Sequence, residues 1–347
     1  MKDKSITIRD VAAAAGVSTA TVSRSLDPDG AEGVSEKTRL KVVEAAASMG
    51  YQANPVARTL KTRSARTVAI VAPELTNDFF MDLAEGIEKE LSARGYTLLV
   101  ASSDNSVEEE KKRVAMLADR MVDGIVVIPA EDRGDHLTAW DKKGIPVVLV
   151  DRLIEGAGLD AILSDNEAGA RALTRRLLED GYRHIAFAGG DMTISTARER
   201  IAGFTAAMEE AGFHPPRDSL YLGGMRVDDG FRHMDTILQS NTPPEALVAV
   251  NLLVHLGMER RLLVRPSGRP GEGYMPAIAA FDESNYSSFL PACRYTAAQD
   301  AAAIGKKAVQ CILERIGQKR RSGNAGEVTE PRTFRLPVMI MNHFQKS

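Results

Sequence analysis

The spacing of apolar and polar residues changes near residue 66. In the first fifty residues, apolar positions recur at helical spacing in three short runs. Thr7, Ser18 and Ser35 each stand directly before one of these runs, where a side-chain oxygen can cap the first turn of a helix. Gly16 follows the first run and can end it. The pattern predicts three short helices, and one face of the third is predicted to be apolar. That face carries Leu40, Val43, Ala46 and Met49.

From Thr67 onward, short apolar runs alternate with longer amphipathic stretches. The apolar runs include VAIVAP, YTLLVAS, GIVVIPA, PVVLVD, HIAFAGG, ALVAVN and AIAAFD. Nearly continuous apolar strands separated by helices are typical of parallel sheets that are covered on both faces. So many units predict two α/β subdomains, with a ligand in the crevice that faces the carboxyl ends of the strands.

Charge divides the chain at the same place as the apolar pattern. The 347 residues carry a formal net charge of −3, but residues 1–66 carry +4 and the remainder carries −7. A basic end on an acidic body fits a nucleic-acid-binding unit joined to a second module.

Several function classes are disfavoured by the sequence. No run approaches the ~20 apolar residues of a membrane span, and the first ten residues lack the apolar core of a secretory signal. We therefore expect a cytoplasmic protein with no membrane partner. Cys293 and Cys311 stand outside any metal-binding spacing, so no metal, disulfide framework or cofactor is expected.

The second predicted helix has the composition of a DNA-reading helix. In VSTATVSRSL, Val17, Val22 and Leu26 can face a core. Hydroxyl, methyl and guanidinium groups are then left on the outer side, where they can contact base edges and phosphates. The residues on that side are Ser18, Thr19, Ala20, Thr21, Ser23 and Arg24. Two short helices around a glycine-containing turn predict a helix-turn-helix, although some three-helix units of this kind bind only protein.

The segments TIRDVAAAAGVSTATVSRSL and VSEKTRLKVVEAAASMGYQANPVARTLKTR closely resemble the lactose/galactose-repressor (LacI/GalR) family of regulators. The resemblance continues through VDGIVVIPA, PVVLVDR, SDNEAGARALTRRLLEDGYRHIAFAGG and TARERIAGFTAAMEEAG, and so covers nearly the whole chain. It implies an all-α helix-turn-helix headpiece and an α/β, two-lobed body similar to periplasmic binding proteins of type I. It further implies a homodimer that binds a palindromic operator in double-stranded DNA and responds to a small-molecule effector.

The resemblance also implies a division of the chain. Residues 1–50 would form the DNA-binding domain, and residues 51–66 the hinge helix and linker. Residues 67–347 would form the effector-binding and dimerisation domain. Its first lobe would span about 67–163 and 295–330, and its second lobe about 164–292.

The segment NPVARTL resembles the hinge of the family, which becomes helical on DNA. Leu60 takes the position of a leucine that wedges into the minor groove, and a short helix with an apolar tip can kink a duplex in this way. The resemblance makes Thr7, Asn54, Arg58 and Lys61 further candidate DNA contacts.

Candidate effector contacts follow from the same resemblance. They are Asn77, Phe79, Asp151, Arg200, Asn251, Asp282 and Gln299. Two alternatives remain open, because Phe79 could be a core residue at a helix start, and because Arg198 lies two positions from Arg200 and could be the ligand arginine instead.

One departure from the family bears on the effector. Many relatives carry an Asn-Asp pair where this chain has Asn251 and Leu252. Loss of that carboxylate, together with the guanidinium of Arg200, leads us to expect an acidic or phosphorylated sugar derivative, with a neutral sugar as the alternative.

Two other function classes compete with a regulator. An α/β enzyme is disfavoured because the sequence contains no GxGxxG, P-loop, GxSxG or HExxH motif. A sugar-binding transport protein would share the body, but it would not need the basic headpiece.

Overall fold

The computed structural model of the chain describes residues 6–26, 33–51, 64–214, 219–264, 273–322 and 330–343. The chain divides into two compact units, Met1–Ala65 and Arg66–Ser347. Each unit has a hydrophobic core of its own. Within the described ranges, no helix combines the length and the apolar character that a membrane crossing would need.

The first unit is a three-helix headpiece. Its helices are α1 (Ile8–Ala15), α2 (Thr19–Ser25) and α3 (Glu36–Ser48). The predicted caps of the second and third helices are confirmed. The Ser18 hydroxyl accepts a hydrogen bond from the Thr21 N–H (3.1 Å), and the Ser35 hydroxyl accepts one from the Thr38 N–H (3.2 Å). Gly16 adopts φ 64° and ends α1, as the sequence indicates.

The core of the headpiece corrects the predicted face of α3. Val42 and Ala46 are the buried residues of this helix, and they pack with Val11 and Val22. By contrast, the side chains of Leu40 and Val43 are exposed, so the prediction is wrong for these two residues. It is confirmed for Ala46, which is buried in the core, and for Met49, which packs against it.

The first lobe of the second unit is a six-stranded, fully parallel sheet. Its strands are β1 (Thr67–Ala72), β2 (Thr97–Ser102), β3 (Gly124–Val127), β4 (Val147–Val150), β5 (Asp160–Ser164) and β11 (Thr333–Leu336). They lie in the order β11-β5-β4-β3-β1-β2. Four helices belong to this lobe: α4 (Asp78–Ser92), α5 (Val107–Asp119), α6 (Asp135–Lys142) and α11 (Ala301–Ser322). The four central strands, β1, β3, β4 and β5, are almost entirely buried because helices cover both faces of the sheet there.

The second lobe repeats this architecture. Its strands are β6 (Ile185–Ala188), β7 (Leu220–Tyr221), β8 (Ala246–Ala249), β9 (Ala277–Phe281), β10 (Cys293–Gln299) and β12 (Val338–Asn342). They lie in the order β12-β10-β9-β8-β6-β7, and only the β10–β12 pair is antiparallel. The helices of this lobe are α7 (Asn166–Glu179), α8 (Ser195–Glu210), α9 (Val227–Leu238) and α10 (Leu252–Leu263).

The chain passes between the lobes after β5, after β10 and between β11 and β12. The sequence suggested that residues 295–299 belong to the first lobe, and this is wrong. Strand β10 pairs in parallel with β9, so these residues lie in the second lobe. The partner of β10 is decided by long-range strand pairing, which the local sequence does not encode. Helix α11 does return to the first lobe, where Ile304 and Ile312 join the same core as Leu83 and Ile87 of α4.

Candidate functional site

Helix α2 presents a polar outer surface. Val22 is buried in the headpiece core, and Val17 and Leu26 pack against it, as predicted. The outer residues fall into two groups: Ser18, Thr19, Ala20 and Arg24 are exposed, whereas Thr21 and Ser23 are half-buried. A helix with one buried apolar edge and exposed hydroxyl, methyl and guanidinium groups matches the requirements of major-groove reading.

The remaining candidate DNA contacts divide by whether the structure describes them. Thr7 is exposed at the start of α1, where its N–H and its hydroxyl both donate hydrogen bonds to the Asp10 carboxylate, at 2.8 and 2.7 Å. The other four candidates lie outside the described residues. They are Asn54, Arg58, Leu60 and Lys61.

In the second unit, two aspartates occupy equivalent places in the two lobes. Asp151 directly follows β4, and Asp282 directly follows β9. Both adopt left-handed backbone conformations, with φ 63° and φ 69°, and both are buried. Their N–H groups donate to the Ile162 and Ala297 carbonyls of the neighbouring strands. The carboxyl ends of both sheets therefore direct a buried acid toward the crevice between the lobes.

The Asp151 carboxyl is poorly satisfied. Its Oδ1 is buried and has no hydrogen-bond partner in the described part of the chain, and its Oδ2 lies 3.9 Å from Nε of Arg152. Burial raises the pKa of Asp151 to about 6, although the positive charges of Arg200 and Arg152 act in the opposite direction. Because Arg200 belongs to the second lobe, charged groups of both lobes meet at this point.

Arg200 is held by three groups of its own lobe. Its Nε donates to Oδ1 of Asn166 (2.9 Å), and its Nη1 donates to the Val250 carbonyl (2.8 Å). The guanidinium carbon lies 3.8 Å from the centroid of the Phe281 ring. Burial lowers the pKa of Arg200, and the carboxylates of Asp282 and Asp151 oppose that effect. The arginine is thus fixed in place and already faces two acids.

The position of Arg200 depends on close packing between α7 and α8. A Cβ atom on Gly203, one turn further along α8, would overlap the Glu167 carbonyl oxygen of α7. The absence of a side chain lets the two helices approach until Arg200 reaches Asn166, the first residue of α7. The sequence IAGF therefore fixes the arginine through backbone contact.

Asp282 and Gln299 form a pair at the end of the second sheet. The Gln299 amide donates to Oδ1 of Asp282 at 2.6 Å. The Gln299 Oε1 atom is buried and, among the described residues, has no hydrogen-bond partner. Like Oδ1 of Asp151, it is a buried acceptor that lacks a donor among the described residues, which is uncommon in folded proteins.

Three predicted contacts have local structural roles. Asn77 caps α4 by accepting from the Phe79 N–H (3.1 Å), and Phe79 is buried in the first-lobe core beside Phe80. Asn251 caps α10 by accepting from the Val254 N–H (2.9 Å). These interactions explain why the chain has these residues without any ligand.

Two buried polar residues of the crevice were missed from the sequence. Arg152 donates from Nη1 to Oδ1 of Asn105 (2.8 Å) and to the Pro129 carbonyl (2.9 Å), and so ties together the loops after β2 and β3. Asn166 fixes Arg200. Each stands two residues after the end of a buried strand, β4 or β5, and this position is the signal that could have identified them.

Arg198 does not enter the crevice floor. Its Nη1 lies 3.4 Å from Oδ2 of Asp132, in an ion pair that is partly exposed. As for metals, the described residues contain no group of three or more histidine, cysteine, aspartate or glutamate side chains that could hold an ion.

Comparison with known families gives two matches that together span most of the chain. Residues 7–54 match the family described as bacterial regulatory proteins of the lacI family. Residues 65–342 match the family of periplasmic binding proteins and the sugar-binding domain of the LacI family.

Named relatives agree with these matches. The HTH-type transcriptional repressor PurR of Vibrio campbellii is 30% identical over 337 residues, which cover 97% of this chain and 99% of the relative. PurR of Vibrio cholerae strain M66-2 is 31% identical over 316 residues, covering 90% of this chain and 92% of the relative.

Solved structures are similar over the same length. The Lac repressor bound to ONPG superposes with a TM-score of 0.78 at 26% identity, covering 98% of this chain and 99% of that one. The Cra transcriptional dual regulator of Pseudomonas putida, in complex with fructose 1-phosphate, gives a TM-score of 0.71 at 25% identity. It covers 81% of this chain and 99% of that one.

Proposed function

This chain belongs to the lacI family of bacterial regulatory proteins, and we propose that it represses transcription as a two-fold dimer. A hydroxyl-rich small molecule controls the affinity of this dimer for a palindromic operator. The chain is a DNA-binding transcription regulator controlled by a small-molecule effector. Beyond this, we propose the dimer, the repression, the chemistry of the effector and the residues that contact DNA and effector. We place the protein in the cytoplasm, where such a regulator meets its DNA.

DNA reading is supported by the outer surface of α2. Exposed Ser18, Thr19 and Arg24 share a helix with buried Val22. Because one headpiece supplies one such helix, a palindrome requires two copies related by a two-fold axis.

Exposed apolar residues on both lobes support the dimer. Strand β2 lies at an edge of the first sheet, and Leu99 and Val100 on it are exposed. On the second lobe, Tyr286 is 60% exposed and Phe289 is 78% exposed. Large apolar side chains that are exposed next to one another mark a surface that a partner covers. We propose that this partner is a second copy of the chain.

The crevice supports a neutral, hydroxyl-rich effector. Oδ1 of Asp151 and Oε1 of Gln299 are acceptors that need donors, and sugar hydroxyls are donors. A carboxylate or phosphate would bring further acceptors, and it would approach Asp151 and Asp282. The expectation of an acidic effector assumed that Arg200 has no counter-charge, but Asp151 and Asp282 provide one. The observation that carries the proposal is that Oδ1 of Asp151 and Oε1 of Gln299, at the carboxyl ends of the two sheets, are buried acceptors without a partner among the described residues.

The test compares Arg200→Ala with Arg183→Ala, which removes an exposed arginine from the same lobe. Thermal-shift measurements on the full chain would use neutral sugars and their matched sugar acids. A ligand at 100 times its dissociation constant adds about 2.7 kcal/mol to the free energy of unfolding. We expect a shift with a neutral sugar in wild type and in Arg183→Ala, no shift in Arg200→Ala, and the same operator affinity for all three in gel shifts without sugar.

Two results would contradict parts of the proposal. Tighter binding of the acid than of its parent sugar would restore the acidic effector. Sugar binding without retention of any DNA fragment from a randomised pool would favour a transport-type protein.

A further inference from the structure

Two ion pairs connect the lobes at the rim of the crevice, in addition to the Arg335–Glu199 pair (2.7 Å) that joins β11 to α8. Nη2 of Arg226, which directly precedes α9, lies 3.0 Å from both the backbone carbonyl and Oδ1 of Asp104, in the loop after β2. Nη1 of Arg198 in α8 lies 3.4 Å from Oδ2 of Asp132, in the loop after β3. In both pairs the acid belongs to the first lobe and the arginine to the second.

A third contact joins the same two surfaces. The Leu153 N–H, just beyond β4, donates to the Ser195 hydroxyl at the start of α8 (2.8 Å). Unlike the ion pairs, this hydrogen bond involves no charge. Separation of the lobes would break all three contacts.

The first ion pair rests on an organised turn. Asp104 and Asn105 both adopt left-handed conformations, with φ 50° and φ 53°, which aspartate and asparagine tolerate better than most residues. Asn105 is held by Arg152, whose Nη1 donates to its Oδ1 (2.8 Å). On the other lobe, the Arg226 N–H donates to Oδ2 of Asp229.

The second ion pair is supported in a similar way. The loop that carries Asp132 is fixed by buried Glu110, which accepts from the Ala130 N–H (2.8 Å) and contacts His136 at the same distance. Arg198 is oriented by a second hydrogen bond from its Nη1 to the Met192 carbonyl (2.8 Å). In both pairs, residues of the first lobe therefore fix the position of the acid that the arginine contacts.

We infer that Asp104–Arg226 and Asp132–Arg198 form a clasp that holds the lobes closed before any effector binds. The clasp sets the population of the closed form, and that population scales the apparent affinity for every ligand that needs a closed crevice. Exposed ion pairs are individually weak, so each should change the closed-to-open ratio by a factor of roughly two to five. Both together should change it by about tenfold.

The clasp can be tested without knowing the effector, so its failure is distinguishable from failure of the proposed function. Nitroxide labels at Lys89→Cys on the first lobe and Gln239→Cys on the second report the distance between lobes, because both positions are exposed. The native Cys293 and Cys311 are buried. Labelled full-length protein diluted into unlabelled protein reports distances within one chain by electron-spin resonance.

Three single changes perturb the clasp. Arg226→Glu and Asp104→Asn each remove the first pair, and asparagine suits the left-handed conformation at position 104. Arg198→Asp removes the second pair, and Asp132→Arg combined with Arg198→Asp exchanges its charges. Arg176→Asp is the matched control, because Arg176 pairs with Glu179 inside its own helix.

We expect the first two variants and the single Arg198→Asp change to populate longer distances, and the exchanged pair to return toward wild type. In 1 M salt the Debye length is about 3 Å, so the variants and wild type should converge there. Arg176→Asp should match wild type throughout. Wild-type distances in Arg226→Glu and Arg198→Asp at low salt, or no recovery in the exchanged pair, would overturn the inference.

Discussion

Replacement of Asp151 by asparagine should make the ligand-free protein more stable at neutral pH. The carboxyl is buried, its Oδ1 has no partner among the described residues, and burial raises its pKa to about 6. Asparagine has nearly the same shape and carries no charge. It also tolerates the left-handed conformation of this position (φ 63°) better than most other residues that have a side chain. The substitution therefore removes the buried charge with little other change.

The sign and size of the effect follow from proton linkage. A carboxyl whose pKa is higher in the folded state binds its proton more tightly there, so folding is favoured at low pH. For Asp151 this contribution is complete below the ordinary pKa of 3.8 and is lost as the pH rises to about 6. At about 1.4 kcal/mol per pH unit, the ionised carboxylate lowers the free energy of unfolding by roughly 3 kcal/mol at pH 7.

The assay is the thermal midpoint of wild type and Asp151→Asn between pH 4 and pH 7.5. Other carboxyls titrate in both proteins, so the difference between the two curves isolates Asp151. We expect the midpoints to separate between pH 4 and pH 6, with the variant higher at pH 7 by roughly 5–10 °C, since 1 kcal/mol shifts a domain of this size by about 2–4 °C. Parallel curves, or a variant that melts lower at pH 7, would refute the reasoning. In the same variant, sugar binding should weaken because an acceptor for a hydroxyl is lost.

Two further predictions concern residues outside the crevice. Asp160 is buried and its pKa is lowered, because hydrogen bonds from Arg315 and Arg332 outweigh the effect of burial. Asp160→Asn should therefore destabilise the protein by about 3–5 kcal/mol in urea unfolding at pH 7, and the difference should shrink below pH 4, where wild type loses this contribution; an equally stable variant would contradict it. In the hinge segment, Leu60→Gly should reduce the bending of operator DNA in circular-permutation gels, whereas Arg58→Ala should mainly lower the salt dependence of binding. Equal bending by wild type and Leu60→Gly would rule out a wedge.

Local signals in the headpiece could be read from the sequence, but the burial of α3 could not. Ser18 and Ser35 cap helices because their partners lie three residues away, so sequence spacing alone determines the contact. The apolar residues of α3 offer two adjacent stripes. Packing against α1 and α2 selects the one with Val42 and leaves Leu40 exposed. The choice depends on the angle between helices, which no local pattern encodes.

The crevice shows a similar division. Strand ends and family resemblance together located Asp151, Arg200 and Asp282, which the structure brings into electrostatic contact. The same reasoning chose Asn77 and Asn251, which cap helices. A polar residue between a strand and a helix can cap the helix or bind a ligand, and the sequence pattern is the same in both cases. The hydrogen bonds of the two asparagines establish their roles as caps, and their contact with a ligand stays a prediction.

The two lobes carry the same unfavourable feature at the same place. Asp151 and Asp282 each combine burial of an acid with a left-handed backbone, immediately after a central strand. Backbone conformations of this kind persist only where the surroundings enforce them, and here strand hydrogen bonds to Ile162 and Ala297 do so. A body that is weakened at its crevice in this way gains most from a ligand that supplies hydrogen-bond donors there, and the closed form that such a ligand favours is the form that the rim ion pairs already hold.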